Sequence, residues 1–169
     1  MIMKGRAFKF GDDISTDAII PGRFFHLRSD LPELAKHVLE DIDPTFISQV
    51  RPGDFIVAGK NFGLGSSREH APLVIKMAGI GAVVAKSVAR IFFRNAINLG
   101  LPVLICDTAT IDDGDELKVD MKEGTIRNLT TETHLTFTPL PRVMRTILEQ
   151  GGLMPYIQRH GDFAPNIEA

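Results

Sequence analysis

The sequence predicts an α/β fold built on a mixed, partly parallel sheet, and three observations lead to this prediction. Short apolar segments alternate with longer amphipathic segments over residues 55–106, as in strands joined by crossover helices. From residue 107 onward the pattern changes to short segments separated by polar turns, which is typical of antiparallel strands. The length of 169 residues suits one domain that buries its own core. We therefore expect residues 1–169 to form a single domain.

The first part of the chain begins with a predicted strand at residues 4–10, where apolar and polar residues alternate. A polar turn and then a loop at residues 22–30 follow. Asp30 and Glu33 stand at the spacing of a capping box, and the apolar stripe after them predicts a helix that reaches Leu39. This part of the chain thus contributes one strand and one helix.

The remaining elements are separated by glycines and polar turns. Strands are predicted at residues 55–58, 82–85, 103–106, 116–119, 125–129 and 135–138, and helices at residues 68–78, 88–99 and 139–150. Gly79, Gly100 and Gly151 stand where these helices are expected to end. Residues 155–169 are predicted to form a loosely held tail.

Composition and charge exclude several classes of function. Nineteen basic and 21 acidic residues give a net charge of −2, and no basic block is present to bind a nucleic acid. No apolar run fits a signal peptide or a membrane span, so we expect a cytoplasmic protein without a membrane partner. Cys106 is the single cysteine, and one thiol cannot hold an iron–sulfur cluster or a zinc ion. We expect no metal site in this chain, and Cys106 to be an inert core residue.

Residues 63–70, G-L-G-S-S-R-E-H, combine the groups that bind an anion. The glycines let the backbone turn tightly and approach a ligand. Ser66 and Ser67 stand at the expected start of a helix, whose free N–H groups favour an anion, and Arg68 adds a guanidinium suited to a carboxylate. This pattern predicts a receptor for a small polycarboxylic acid. The alternative is that Ser66 only caps the helix, because Ser66 and Glu69 also stand at capping-box spacing.

Other classes of function fit this loop less well. The run has no lysine before its serines, so it is not a phosphate-binding loop of the Walker A type. A serine hydrolase would place its nucleophile in G-x-S-x-G, and the serines of G-L-G-S-S stand at a different offset. A non-catalytic module that binds carboxylates with the same loop is the alternative to an enzyme.

Three segments together resemble the swivelling domain of the aconitase superfamily. They are residues 11–22 (G-D-D-I-S-T-D-A-I-I-P-G), residues 63–70, and residues 85–100 (A-K-S-V-A-R-I-F-F-R-N-A-I-N-L-G). They follow in order and are spread over residues 11–100. The length of the chain is similar to that of the separate small subunits of 3-isopropylmalate dehydratase and homoaconitase. The resemblance implies a three-layer β/β/α swivelling domain within the predicted α/β class.

The resemblance also implies a partner, a cofactor and roles for five residues. In this family a large subunit holds a [4Fe–4S] cluster, and the small subunit closes over it to form a heterodimer or heterotetramer. The complex is a hydro-lyase that removes water from a small 2-hydroxy di- or tricarboxylic acid and adds it back. Ser66 matches the family's base, and Ser67 and Arg68 match its carboxylate-binding positions. Thr16 and Asp17 match a second segment near the active site, although Asp17 can instead cap a turn.

The loop that selects the substrate in this family follows I-I-P-G and here reads Arg23, Phe24, Phe25, His26 and Leu27. Homoaconitase-like members tend to carry an arginine at the position of His26, where it grips a distal carboxylate. His26 between two apolar residues favours an apolar substrate side chain. The resemblance thus implies isomerisation of 2-isopropylmalate to 3-isopropylmalate in leucine biosynthesis, with citramalate, dimethylmalate or homoaconitate as alternatives. Both phenylalanines can instead simply pack the loop against the domain.

A few further side chains are given structural roles. Arg90 and Arg94 lie on the predicted helix 88–99, and we expect them to be solvated or ion-paired rather than to contact substrate. His70 is expected to lie near the site or on a helix face, and His37 to be an ordinary surface histidine.

Overall fold

The computed structural model describes residues 1–161, which form one sheet surrounded by short helices. The strands are β1 (Ile2–Lys9), β2 (Phe55–Ala58), β3 (Ala82–Ala85), β4 (Val103–Ile105), β5 (Glu116–Asp120), β6 (Thr125–Asn128) and β7 (Thr133–Thr136). The α-helices are α1 (Thr16–Ile19), α2 (Leu31–Ala35), α3 (Phe46–Gln49), α4 (His70–Met77), α5 (Arg90–Asn98), α6 (Arg142–Glu149) and α7 (Leu153–His160). A 3-10 helix spans Gly22–Leu27.

The sheet is mixed, as the sequence predicts, with the strand order β4-β3-β2-β1-β5-β6-β7. Strands β1 to β4 are parallel to one another, and β5 to β7 continue the sheet in antiparallel pairs. Strand β1 joins the two parts: residues 2–6 pair with β5, and residues 7–9 pair with β2. The change of pattern after residue 107 therefore marks a real change from parallel to antiparallel pairing.

Two hydrophobic cores lie on opposite faces of the parallel strands. Ile56 and Ala58 of β2 point into the first core with residues of α2 and α4. Phe55 and Val57 point into the second core, which also holds side chains of β5 and β6. The antiparallel strands, together with α6 and α7, thus cover one face, and α2 and α4 cover the other, in keeping with the expected β/β/α order of layers. Burial on both faces explains why β2 and β3 are continuous apolar runs.

The segment before β2 differs from the prediction at the end of α2 and in the loop 22–30, and it contains two short helices, α1 and α3, that were not predicted. Helix α2 is capped by Asp30, whose side chain accepts a hydrogen bond from the Glu33 N–H at 3.3 Å, but it ends at Ala35 instead of Leu39. Leu39 adopts a left-handed φ of 56° and donates its N–H to the Ile19 carbonyl, so a contact with α1 replaces the next helical turn. The expected loop 22–30 contains the 3-10 helix.

The predicted loose tail is wrong for residues 155–160, which belong to α7. Tyr156 is only 2% exposed in the second core, and Leu153 and Ile157 pack beside it at helical spacing. Pro155 does not interrupt α7 because it lies in the first turn, where its missing N–H has no partner to lose. Residues 162–169 lie outside the described residues. Within residues 1–161, no helix has both the length and the apolar character needed to cross a bilayer.

Candidate active site

The loop that carries Ser66 is held against the segment leading into α1 by backbone hydrogen bonds. The Gly63 N–H donates to the Ile14 carbonyl at 2.7 Å, and the Thr16 N–H donates to the Leu64 carbonyl at 2.8 Å. Ser15 and Leu64 form a parallel bridge between the two segments. Two segments that are about 50 residues apart in sequence are therefore held side by side.

Two glycines in this loop have backbone conformations that disfavour any larger residue. Gly63 has a φ of +78°, and a Cβ atom there would lie 2.3 Å from the ring of Phe92. Gly65 has a φ of +112°, and a Cβ atom there would lie 3.1 Å from Thr16 Oγ1. The close approach between the loop, α1 and α5 therefore depends on glycine at these positions.

Ser66 and Thr16 form a hydroxyl pair at the centre of the candidate site. Their oxygens are 3.1 Å apart, and the Ser66 N–H donates to Thr16 Oγ1 at 3.2 Å. Thr16 is 2% exposed, whereas Ser66 is exposed. A hydroxyl can accept one hydrogen bond and donate another, so Thr16 Oγ1 can accept from the Ser66 N–H and still donate its proton to Ser66 Oγ. This arrangement can stabilise negative charge on Ser66 Oγ.

The alternative that Ser66 caps the following helix is wrong. Helix α4 begins at His70 instead of Arg68, and its N-cap is Glu69, whose side chain makes no capping hydrogen bond. Ser66 lies before this cap, and its polar groups bond to Thr16 instead. In the structure Ser66 is therefore bonded to the buried Thr16 hydroxyl and not to the N-terminus of α4.

Arg68 and Asp17 lie beside the hydroxyl pair and contact each other. Arg68 Nη1 is 2.8 Å from Asp17 Oδ1, and the two side chains are 30% and 69% exposed. The contact lacks the geometry of a hydrogen bond, so the buried Nη1 has an ionic neighbour but no acceptor. The guanidinium also faces the ring of Phe25, with 5.6 Å between Arg68 Cζ and the ring centroid. The Arg68 guanidinium thus has one weak ionic contact, to Asp17, and one apolar neighbour, the Phe25 ring.

The predicted specificity loop divides into residues that face the site and residues that bind elsewhere. Phe25 is 44% exposed and meets His70 edge to face at 6.3 Å in addition to its contact with Arg68. Arg23 is paired with Asp41, Phe24 stacks on His37, Leu27 packs against the first core, and the His26 ring binds the Arg23 carbonyl. The structure brings Phe25 to Arg68, and it does not bring Arg23 or Phe24 there.

One residue near the site was missed by the sequence analysis. Asn95 of α5 donates from Nδ2 to the Ser67 carbonyl at 3.4 Å, which ties the exposed Ser67 to the helix. Asn95 follows Phe92 by three residues, so both lie on the helix face that meets the loop. A polar residue within the apolar stripe of α5 was the available sign of this contact.

The other predicted residues lie outside this cluster. Arg90 and Arg94 are exposed and line a cavity of about 640 Å³ between α5, α6 and α7, which none of the predicted site residues lines. Burial and the neighbouring Asp107 carboxylate raise the pKa of the Cys106 thiol to about 11, which makes it unreactive near neutral pH. Among residues 1–161, no three His, Cys, Asp or Glu side chains are grouped so that they could hold a metal ion.

Comparison with known proteins first defines the class. Residues 32–107 match the model of the aconitase C-terminal domain. The crystal structure of 3-isopropylmalate dehydratase (leuD) from Methanocaldococcus jannaschii superposes with a TM-score of 0.91 at 48% identity. The match covers 95% of this chain and 96% of that chain. The predicted aconitase-type α/β fold is therefore confirmed.

Individual relatives then define the family. The 3-isopropylmalate dehydratase small subunit 2 of Archaeoglobus fulgidus is 65% identical over 162 residues, which are 96% of this chain and 98% of the relative. Small subunit 1 of the same enzyme from Thermotoga maritima is 56% identical over 163 residues, with 96% and 98% covered. The chain belongs to the family of 3-isopropylmalate dehydratase small subunits.

Proposed function

We propose that this chain is the small subunit of a hydro-lyase that isomerises 2-isopropylmalate to 3-isopropylmalate. The observation that carries this proposal is that Ser66, bonded to the buried Thr16 hydroxyl, and Arg68, beside the Phe25 ring, lie on one surface. A hydroxyl that can take a proton, a cation for a carboxylate and an apolar face are what this substrate requires. The names of the relatives point to the same reaction.

Ser66 is the proposed base, which takes a proton from the carbon next to a substrate carboxylate. A serine hydroxyl is a weak base in water, so its anionic form needs a donor fixed in advance. Thr16 Oγ1 is that donor, because it lies 3.1 Å from Ser66 Oγ and is itself oriented by the Ser66 N–H. The same hydroxyl then returns the proton to the carbon that lost the hydroxyl group, and hydroxide adds to the carbon that lost the proton, so that the two groups have exchanged positions.

Arg68 is the proposed carboxylate grip, with Ser67 as an additional donor. The substrate carboxylate takes the place of Asp17, whose side chain is 69% exposed and returns easily to water. Hydrogen bonds from the guanidinium to a carboxylate are stronger than the ion pair with Asp17, because that pair lacks hydrogen-bond geometry. Asp17 thus keeps Arg68 oriented until substrate arrives.

A large subunit is the proposed partner, and its [4Fe–4S] cluster is the proposed cofactor. When bound, the cluster iron supplies a Lewis acid for the departing hydroxyl. Asp17, Ser66 and Ser67 are all exposed, so a small acid bound by this chain alone stays open to water. A second chain that covers this surface excludes water and completes the site. The unpaired thiol of Cys106 fits a reducing compartment such as the cytoplasm.

Phe25 is the proposed determinant of substrate choice. Its ring lies beside Arg68, so a substrate gripped by that arginine places its side chain against an apolar surface. Arg23 is already bound by the Asp41 carboxylate, so a distal substrate carboxylate would have to displace Asp41 to reach Arg23. The surface therefore favours an isopropyl group, or the smaller methyl groups of citramalate and dimethylmalate, over the third carboxylate of homoaconitate.

The test is a substrate panel on the chain reconstituted with its large subunit. Steady-state kcat/KM values for 2-isopropylmalate, citramalate and homoaconitate should be highest for 2-isopropylmalate, and the chain alone should be inactive. Preference for homoaconitate would contradict the assignment of Phe25, and activity of the isolated chain would contradict the subunit role. Tight binding of 2-isopropylmalate without turnover by the complex would favour a non-catalytic carboxylate-binding module.

A further inference from the structure

A stack of flat side chains connects the 3-10 helix to the turn that follows α2. Arg23 Cζ lies 4.5 Å from the centroid of the Phe24 ring, on which it stacks. The Phe24 ring is also stacked on the imidazole of His37, with 3.9 Å between centroids and 13° between planes. We call Arg23, Phe24, His37 and Asp41 the anchor cluster.

Carboxylates from two adjacent residues orient the flat groups of the anchor cluster. Asp41 accepts hydrogen bonds from Nη1 and Nη2 of Arg23 at 2.8 and 2.6 Å. Glu40 Oε2 accepts a hydrogen bond from His37 Nδ1 at 2.6 Å. The guanidinium and the imidazole are thus both fixed from the same turn, and Phe24 contacts both of them. Phe24 is therefore restrained more strongly than it would be by core packing alone.

The anchor cluster bears directly on the neighbouring Phe25. Phe24 is half-buried and packs against the first core, while Phe25 is 44% exposed and meets Arg68. Successive residues of a 3-10 helix project their Cα–Cβ bonds about 120° apart, so holding Phe24 in place also fixes the direction in which Phe25 leaves the helix. The contact between Phe24 and His37 therefore sets where the Phe25 ring stands relative to Arg68.

We propose that His37 is a positioning residue for substrate selection, which holds Phe24 and thereby places Phe25 beside Arg68. The effect on catalysis rests on the proposed function, because it needs the Phe25 ring to contact substrate. The structural part does not, because the anchor cluster lies wholly within this chain. His37 is therefore more than the ordinary surface histidine that the sequence suggests.

The structural part is tested on the full chain without a partner, by limited digestion with trypsin. Arg28 directly follows the 3-10 helix, so cleavage after Arg28 reports how firmly this helix is held. His37→Ala should increase that cleavage rate about three- to tenfold, the range expected for loss of one stacked ring. His37→Phe keeps a flat ring and should stay close to the unmodified chain. His134→Ala, at an exposed histidine of β7, is the matched control and should change nothing.

The catalytic part is tested with the same variants in the reconstituted complex. His37→Ala should raise KM for 2-isopropylmalate and lower its preference over citramalate by about three- to tenfold, with kcat largely kept. His37→Phe should restore both values. Unchanged cleavage in His37→Ala, or a His37→Phe variant that fails as fully as His37→Ala, would overturn the proposal. If the complex proves inactive on 2-isopropylmalate, the proposed function fails while the digestion still decides whether His37 holds the helix.

Discussion

The Ser66 loop and the 3-10 helix at Gly22–Leu27 meet where Phe25 faces Arg68, but they are held by different kinds of contact. Backbone hydrogen bonds to Ile14 and Thr16 hold the Ser66 loop. Side chains hold the 3-10 helix, through the anchor cluster. Backbone contacts survive most substitutions, whereas side-chain contacts depend on which residues are present. We therefore expect substitutions to change the shape of the 3-10 helix, and with it substrate selectivity, more readily than the shape of the Ser66 loop.

The largest expected effect is the loss of the proposed base. Ser66→Ala should lower kcat by about 10²- to 10⁴-fold, as for other acid–base groups, with KM nearly unchanged. The backbone contacts of the loop stay in place, so the fold should not change. Steady-state kinetics of the reconstituted complex provide the measurement. Near-normal turnover of Ser66→Ala would show that Ser66 is not the base.

A smaller effect is expected when the carboxylate grip changes shape but keeps its charge. Arg68→Lys should raise KM about 10- to 100-fold, because one or two hydrogen bonds to a charged group are lost. The value of kcat should fall less than in Ser66→Ala. Arg94→Lys, at an exposed arginine of α5, is the matched control. Equal KM values for the two variants would show that shape at position 68 does not matter.

The backbone-held region is tested directly by Gly63→Ala. Gly63 has a φ of +78°, and a Cβ atom there would lie 2.3 Å from the Phe92 ring. The free energy of unfolding of the variant should therefore be about 1–3 kcal/mol lower than that of the unmodified chain. Gly11→Ala is the control, because a Cβ atom there meets nothing within 4 Å. Urea titration of both variants provides the measurement. A stable Gly63→Ala would mean that the loop moves freely relative to α5.

The smallest effect is expected from the hydroxyl beside Ser66. Thr16→Val keeps the shape of the buried side chain but removes the donor, and should lower kcat by about tenfold, the lower end of the range for a hydrogen bond to a charged oxygen. Thr16→Ser keeps the hydroxyl and should behave like the unmodified chain. If both variants were equally impaired, packing at Thr16 would matter and its hydroxyl would not.

The sequence was sufficient where structure is determined by neighbouring residues. Strands β2 and β3 occupy the predicted residues because each is an apolar run bounded by polar or glycine residues. The candidate cluster Ser66–Arg68 could be predicted because its residues are contiguous. The end of α2 was missed because it depends on a hydrogen bond from Leu39 to Ile19. The stacking of His37 on Phe24 was missed because contacts between separate segments leave no periodic pattern.

One measurement tests the division between chemistry and selectivity most directly. It is the ratio of kcat/KM for 2-isopropylmalate to kcat/KM for homoaconitate, determined for complexes that contain Ser66→Ala or Phe25→Ala. Ser66→Ala should lower both values and leave their ratio unchanged. Phe25→Ala should lower the ratio about tenfold, within the range by which an apolar pocket separates similar substrates. If the ratio changed in Ser66→Ala and stayed constant in Phe25→Ala, Phe25 would not be the determinant of substrate choice.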